Sequence, residues 1–103
     1  MKLVIAIIRP EQLDAVQQEL QAILDEGDNY RMTVCSVDGH GRAVGELEYF
    51  RGQPVRQRMV RRQQIEIAVN DDYVEPTIAA IVKGARTGEK GDIGDGKIFV
   101  LPI

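Results

Sequence analysis

The sequence predicts an α+β fold in which two βαβ units merge into one four-stranded antiparallel sheet with both helices on one face. Three observations predict it. The elements read in the order strand, helix, strand, long loop, strand, helix, strand. The two halves echo one another, IAIIRPEQLDAVQQEL from Ile5 against IEIAVNDDYVEPTIAA from Ile65, each a strand followed by a polar turn and an amphipathic helix. Connections of this length leave a ferredoxin-like duplication as the arrangement for units of this size. Such a sheet has one face with no cover inside the chain, and a small protein with half its sheet bare usually buries it against copies of itself.

Lys2 to Ile8 is rich in Val and Ile, is bounded by Pro10, and reads as a strand buried on both faces. Pro10 suits the first helical turn, where its missing N–H costs nothing, and Glu11 and Asp14 complement the positive end of the helix dipole. Leu13, Val16, Leu20, Ile23 and Leu24 then fall on one face, so the first helix should run to about Asp25, before the breaker Gly27-Asp28-Asn29. Tyr30 to Val37 alternates in part and reads as a second strand. Asp38 to Arg42, DGHGR, follows as a glycine-punctuated turn. Gln64 to Val69 is a third strand, with Asn70-Asp71-Asp72 as a helix N-cap. Val74, Ile78, Ile81, Val82 and Ala85 line the second helix, Pro76 falls near its first turn, and Gly84 and Gly88 close it. Lys97 to Leu101 is the last strand.

Two stretches carry the chemistry. In Thr87 to Val100, TGEKGDIGDGKIFV, closely spaced glycines free backbone N–H groups to form a concavity for an anion, and Gly94-Asp95-Gly96-Lys97 reads as a phosphate cradle. Gly91, four residues, then Gly96-Lys97 imitates a Walker A loop. A P-loop is excluded because Ile98 stands where a Mg²⁺-ligating Ser/Thr is needed and a strand follows instead of a helix. The bland alternative is a loop that merely turns the chain. The DGHGR turn reads either as a turn or as a second wall of the same anion site, with Arg42 reaching a phosphate. From Val44 to about Gln64 the periodicity disappears. That length of loop is usually functional, and its Arg51, Arg56, Arg58, Arg61 and Arg62 beside Tyr49-Phe50 suit an arm that docks on a protein partner; the bland alternative is a solvated charged loop.

Composition removes several classes. The chain has 103 residues, enough for one domain, 44% of them apolar and 28% charged, and no run near the roughly 20 apolar residues of a membrane span. The apolar start meets Arg9-Pro10 instead of a cleavage site, and the lone Cys35 cannot form an internal disulfide, so a soluble, cytoplasmic protein is expected with Cys35 packed. A net charge of −3 argues against a surface built for nucleic acid, and the exposed aromatic pattern of an RNA-binding module is missing. His40 has no second ligand at metal spacing and reads as a solvent-facing loop residue. No base or Mg²⁺ holder is evidently placed for phosphoryl transfer, which argues against an enzyme.

AIIRP at Ala6 to Pro10, MTV at Met32 to Val34, GHGR at Gly39 to Arg42, YFRG at Tyr49 to Gly52, IEIAVNDD at Ile65 to Asp72 and above all ARTG followed by IGDGKIFV from Ile93 to Val100 occur in the order found in the PII family of nitrogen-regulatory signal proteins. The chain resembles that family over nearly its whole length. The resemblance implies one PII-like domain over 1–103, a homotrimer, ATP, ADP or AMP bound in clefts between subunits, and a T-loop, about 43–62, that controls a target enzyme, transporter or regulator. It implies that Gly39, Gly41 and Arg42 lie along the phosphates, with Gly94, Asp95, Gly96 and Lys97 opposite, and that Ile7, Thr33, Glu66 and Ala68 face the base and ribose. Arg62 replaces a family lysine that pairs with 2-oxoglutarate, and the two side chains are not interchangeable.

Four departures from the family pattern shape these expectations. Ala43 stands where a glutamine helps hold Mg²⁺ and 2-oxoglutarate; a methyl group ligates neither, which argues against sensing of the usual kind and favours, as the alternative, another small anion such as bicarbonate. Val55 occupies the position of the tyrosine that enteric members uridylylate. Extra residues, around Glu89 to Asp92, precede the IGDGK motif. Family members continue beyond the equivalent of Ile103 into a basic segment that touches phosphates, so weaker phosphate affinity and a shift from ATP towards ADP or AMP are expected without it.

Overall fold

A computed structural model describes residues 1–24, 32–40, 59–91 and 95–103, together with the backbone of 49–50 and 53–54. Strand β1 (Lys2–Ile8) is central. It pairs along its whole length with β5 (Met59–Val69) on one side, Lys2 against Val69 and Ile8 against Gln63, and with β6 (Gly96–Pro102) on the other, Lys2 against Pro102 and Ile8 against Gly96. Strand β2 (Met32–His40) lies on the far side of β5, Met32 against Ile67 and His40 against Met59. The order β2-β5-β1-β6, antiparallel throughout, with helices α1 (Leu13–Ile23) and α2 (Val74–Ala85), is the ferredoxin-like α+β fold.

Both helices cover the same sheet face. Val4, Ala6 and Ile8 of β1 and Ile65, Ile67 and Val69 of β5 form one core with Val16, Leu20, Leu24, Ala80, Ile81 and Ala85. Fully burying a side chain such as Leu20 or Ile65 contributes about 1.5–3 kcal/mol over leaving it in water. The two helices start by the same device. A 3₁₀ turn, Pro10–Gln12 before α1 and Asp71–Tyr73 before α2, is closed by the N–H of Gln12 on the Arg9 carbonyl (3.0 Å) and of Tyr73 on the Asn70 carbonyl (2.9 Å). Asn70 therefore caps through its backbone; its side chain makes no cap bond.

Several expectations need correcting. Strand β1 is buried on one face; Leu3, Ile5 and Ile7 on the other are only half-covered. Helix α1 ends at Ile23, with the Leu24 N–H closing on the Leu20 carbonyl at 2.8 Å; Asp25 and the Gly27-Asp28-Asn29 breaker lie outside the described residues. Strand β2 runs on through Asp38, Gly39 and His40, because β5 begins at Met59 and supplies Arg61, Val60 and Met59 as partners. The stretch expected to be loop up to Gln64 thus contains five residues of β5, and within it β3 (Tyr49–Phe50) pairs with β4 (Gln53–Pro54). The last strand spans Gly96 to Pro102.

Helix α2 is rotated from the expected stripe. Thr77, Ala80, Ile81, Gly84 and Ala85 are buried, and Val82 is exposed. Gly84 does not end the helix; it allows α2 to touch α1, since a Cβ there would stand 2.6 Å from the Val16 Cα. Gln12 Nε2 ties the same point by donating to the Gly84 carbonyl at 3.0 Å. Cys35, expected to be packed, is exposed: Val34 points into the core, so the pleat turns Cys35 to the open face. No helix among the described residues is long and apolar enough to cross a membrane.

Candidate functional site on the open sheet face

Side chains directly opposite in an antiparallel ladder share a face. Three rows therefore cross the uncovered side of the sheet. One holds Cys35, Gln64, Ile7 and Lys97, the next Thr33, Glu66, Ile5 and Phe99, and the third Ala68, Leu3 and Leu101. Arg62, paired with Val37, continues the same side of β5. The register thus brings Ile7, Thr33, Arg62, Glu66, Ala68 and Lys97 onto one surface, although they come from four strands. Gly39 lies farther along β2 against Val60, and a Cβ there would meet nothing within 4 Å. Gly41, Arg42 and Gly94 lie outside the described residues, as do Ala43 and Val55.

Polar groups on this surface are partly pre-arranged. Glu66 Oε1 accepts from Gln64 Nε2 at 2.9 Å, and Arg62 Nη1 donates to the Arg61 carbonyl at 3.1 Å. On the other side of the same ladder Arg61 Nε meets Asp38 Oδ1 at 2.8 Å, an exposed pair of the kind worth about 0–1 kcal/mol. His40 is exposed at the end of β2, and among the described residues no three His, Cys, Asp or Glu side chains converge as a metal site.

The glycine-rich loop meets the sheet at Gly96. A Cβ at this position would stand 2.6 Å from the Ile7 carbonyl oxygen, so the close approach of β6 to β1 itself requires glycine. Asp95, expected in the phosphate cradle, has its side chain turned inward. Its Oδ2 accepts from the Thr87 N–H at 2.9 Å, while Oδ1 accepts from the Thr87 hydroxyl and from Arg9 Nε at 3.2 Å. Arg9 and Thr87 were legible only as parts of the AIIRP and ARTG motifs. Nothing local ties Arg9 to Asp95, 86 residues away. Behind this loop, on the helix side, a cavity of about 260 Å³ is lined by residues including Ile8, Ile81, Arg86 and Ile98. It is smaller than the roughly 300 Å³ at which small-molecule clefts begin, and the groups gathered on the open face do not line it, apart from Lys97.

Fold and site together define a ferredoxin-like module that displays an apolar sheet face edged with polar and cationic groups. Comparison with known proteins gives the particular case. The family model for nitrogen regulatory protein P-II matches residues 1–103. The chain is 50% identical over 103 residues to nitrogen regulatory protein GlnK1 of Methanosarcina mazei, covering all of this chain and 84% of that protein. It is 46% identical to nitrogen regulatory protein P-II 2 of Methanothermobacter thermautotrophicus, again over all of this chain and 84% of the relative, and 43% identical to nitrogen regulatory protein P-II of Rhizobium etli, over 86% of that relative. The chain belongs to the P-II family. It is a regulatory, signal-transducing protein and not an enzyme.

Proposed function

We propose that the protein binds adenine nucleotides, ATP, ADP or AMP, in clefts between the subunits of a homotrimer, and that occupancy is read by a target enzyme, transporter or regulator through the segment of about 43–62. The observation that carries this reading is the register. It sets Ile7, Thr33, Glu66 and Ala68 on the same face as Lys97, where the apolar Leu3 and Ile5 are half-covered and Phe99 and Leu101 exposed. An apolar face of this kind suits contact with further copies, and a neighbouring copy supplies the second wall that one chain lacks. Gly39, Gly41, Arg42, Gly94 and Gly96 are assigned to the phosphates with Lys97, where backbone N–H groups and cations offset their charge. Nucleotide binding shifts the 43–62 segment only so far as its contacts differ between the segment's states.

Ala43 offers no donor atom for Mg²⁺ or for the 2-oxoglutarate carboxylate, so no step of this reading runs through either. The same residue favours a second reading, in which another small anion such as bicarbonate takes the place of 2-oxoglutarate beside a bound ADP or AMP. No nucleic acid is involved, and the protein works in the cytoplasm, where its target can itself be a membrane protein. Isothermal titration with ATP, ADP and AMP, run beside sedimentation velocity, tests the proposal. Saturable binding of at least one adenylate to a trimer is expected; a monomer that leaves all of them free refutes it.

A further inference from the structure

Three segments meet at the Asp95 carboxylate: the residue after β1 (Arg9), the residue two past α2 (Thr87) and the residue before β6. Asp95 and Arg9 keep only 15% and 24% of their side-chain surface exposed, so this is a mostly desolvated ion pair with a second set of donors on the same carboxylate. Its neighbour Gly96 already lies against the Ile7 carbonyl. The contacts therefore close the end of the β1–β6 ladder from both strands.

The Thr87–Asp95 pair also closes a loop at its base, eight residues apart in sequence. All the extra residues around Glu89 to Asp92 fall inside that excursion. Gly91, with φ of 78°, rests on the clasp: a Cβ there would stand 3.0 Å from Arg86 Cγ and 3.3 Å from Asp95 Oδ2. The entropic cost of lengthening a loop whose ends are held grows only slowly with its length.

From this geometry we infer that Thr87, Asp95 and Arg9 form a clasp that positions Gly96 and Lys97, and that it uncouples them from the length of the 88–94 excursion. Asp95 is then a positioning residue and not a phosphate contact. A free carboxylate turned toward a polyphosphate would repel it; pairing with Arg9 and Thr87 turns that charge inward. The phosphate part of this inference rests on the nucleotide reading above, whereas the positioning part does not.

The test uses Thr87→Val, Thr87→Ser and a deletion of Glu89 to Asp92, each first checked for the wild-type unfolding midpoint. Amide hydrogen exchange in the unliganded protein is one readout. Thr87→Val should exchange about tenfold faster at Gly96 to Ile98 while Val4 to Ala6 stay unchanged, with Thr87→Ser and the deletion close to wild type. Nucleotide titration is the other: Thr87→Val should weaken ATP about tenfold and adenosine less than about twofold, the range expected for loss of a hydrogen bond to a charged group. Unchanged exchange in Thr87→Val, or a deletion that loosens Gly96 to Ile98 as much, overturns the clasp. If Thr87→Val does not fold, Asp95→Asn is read by the same exchange criterion. Wild-type protein that binds no adenylate would overturn the nucleotide reading, and exchange would still decide whether the clasp holds Gly96 and Lys97.

Discussion

The two faces of the sheet are built from the same strands to different ends. On the covered face Val4, Ala6, Ile8, Ile65 and Ile67 are at most 1% exposed, all aliphatic and all against a helix. On the open face Leu3, Ile5 and Ile7 are only half-covered, Phe99 and Leu101 are 48% and 46% exposed, and Gln64, Glu66, Arg62 and Lys97 are interspersed. The first surface is complete within one chain. The second mixes exposed apolar side chains with polar and charged ones, and under the proposed trimer its energetics would belong to the assembly. Substitutions on the covered face should therefore be read in the stability of each chain, and substitutions on the open face in association.

The largest expected effect is on the covered side. Leu20→Ala should lower the unfolding free energy by about 2–5 kcal/mol in chemical denaturation, since the cavity opens between α1 and the sheet. A loss under about 1 kcal/mol would mean that the core is not the closed layer described. On the open side, Phe99→Glu should weaken the proposed self-association at least tenfold in sedimentation velocity, because a charge replaces the large exposed ring beside Ile5 and Leu101. Trimers as tight as wild type would show that this face is not the one buried.

Thr77 sharpens the comparison from within. It is fully buried on the helix side, and among the described residues its Oγ1 has no hydrogen-bond partner. Thr77→Val keeps the shape and removes the unmet hydroxyl, so stability should rise by about 1 kcal/mol; a fall would reveal a partner for that oxygen. The smallest effect lies at the rim. The Met1 amino group, 2.9 Å from Asp71 Oδ1, holds the Asp71 carboxyl below the ordinary carboxylate range, by hydrogen bonding first and by its charge second. Because the folded-state value is the lower one, the pair contributes stability above the unfolded carboxylate value, and that contribution is lost as pH falls from there through the folded value. An NMR titration should place the Asp71 midpoint below the unfolded carboxylate value, and Asp71→Asn should leave neutral-pH stability nearly unchanged because the pair is exposed.

What the sequence disclosed follows the same division. Periodicity reports burial, so it revealed the elements wherever helices cover the sheet: β1, α1, and β5 from Gln64 onward. It failed at Met59 to Gln63, the first five residues of β5. MVRRQ shows no alternation of apolar and polar residues, and it is a strand through its ladder with β2, joined by β1 at Gln63. It also misjudged β1, whose aliphatic run reads as two covered faces when Leu3, Ile5 and Ile7 are only half-covered within the chain. The α2 stripe was misplaced because close helix contact selected Gly84, Ala80 and Thr77 over the bulkier Val82. Gly94 to Lys97 and Arg42 were suggested by glycine spacing and charge, and Ile7, Thr33, Glu66 and Ala68 by a resemblance, while the sharing of one surface by Ile7, Thr33, Glu66, Ala68 and Lys97 is a matter of register. The Asp95 clasp has no local signature, since it joins positions 9, 87 and 95.

Strand β6 is an edge, and among the described residues no strand hydrogen-bonds to its outer margin. Phe99, Val100 and Leu101 stand exposed along it, so that margin offers unpaired amides and carbonyls beside greasy side chains. Such a margin is a template for adding a foreign strand. A charged substitution along that margin, such as Val100→Lys, should thus lower the tendency of the isolated chain to clump, as charges do on sheet edges generally.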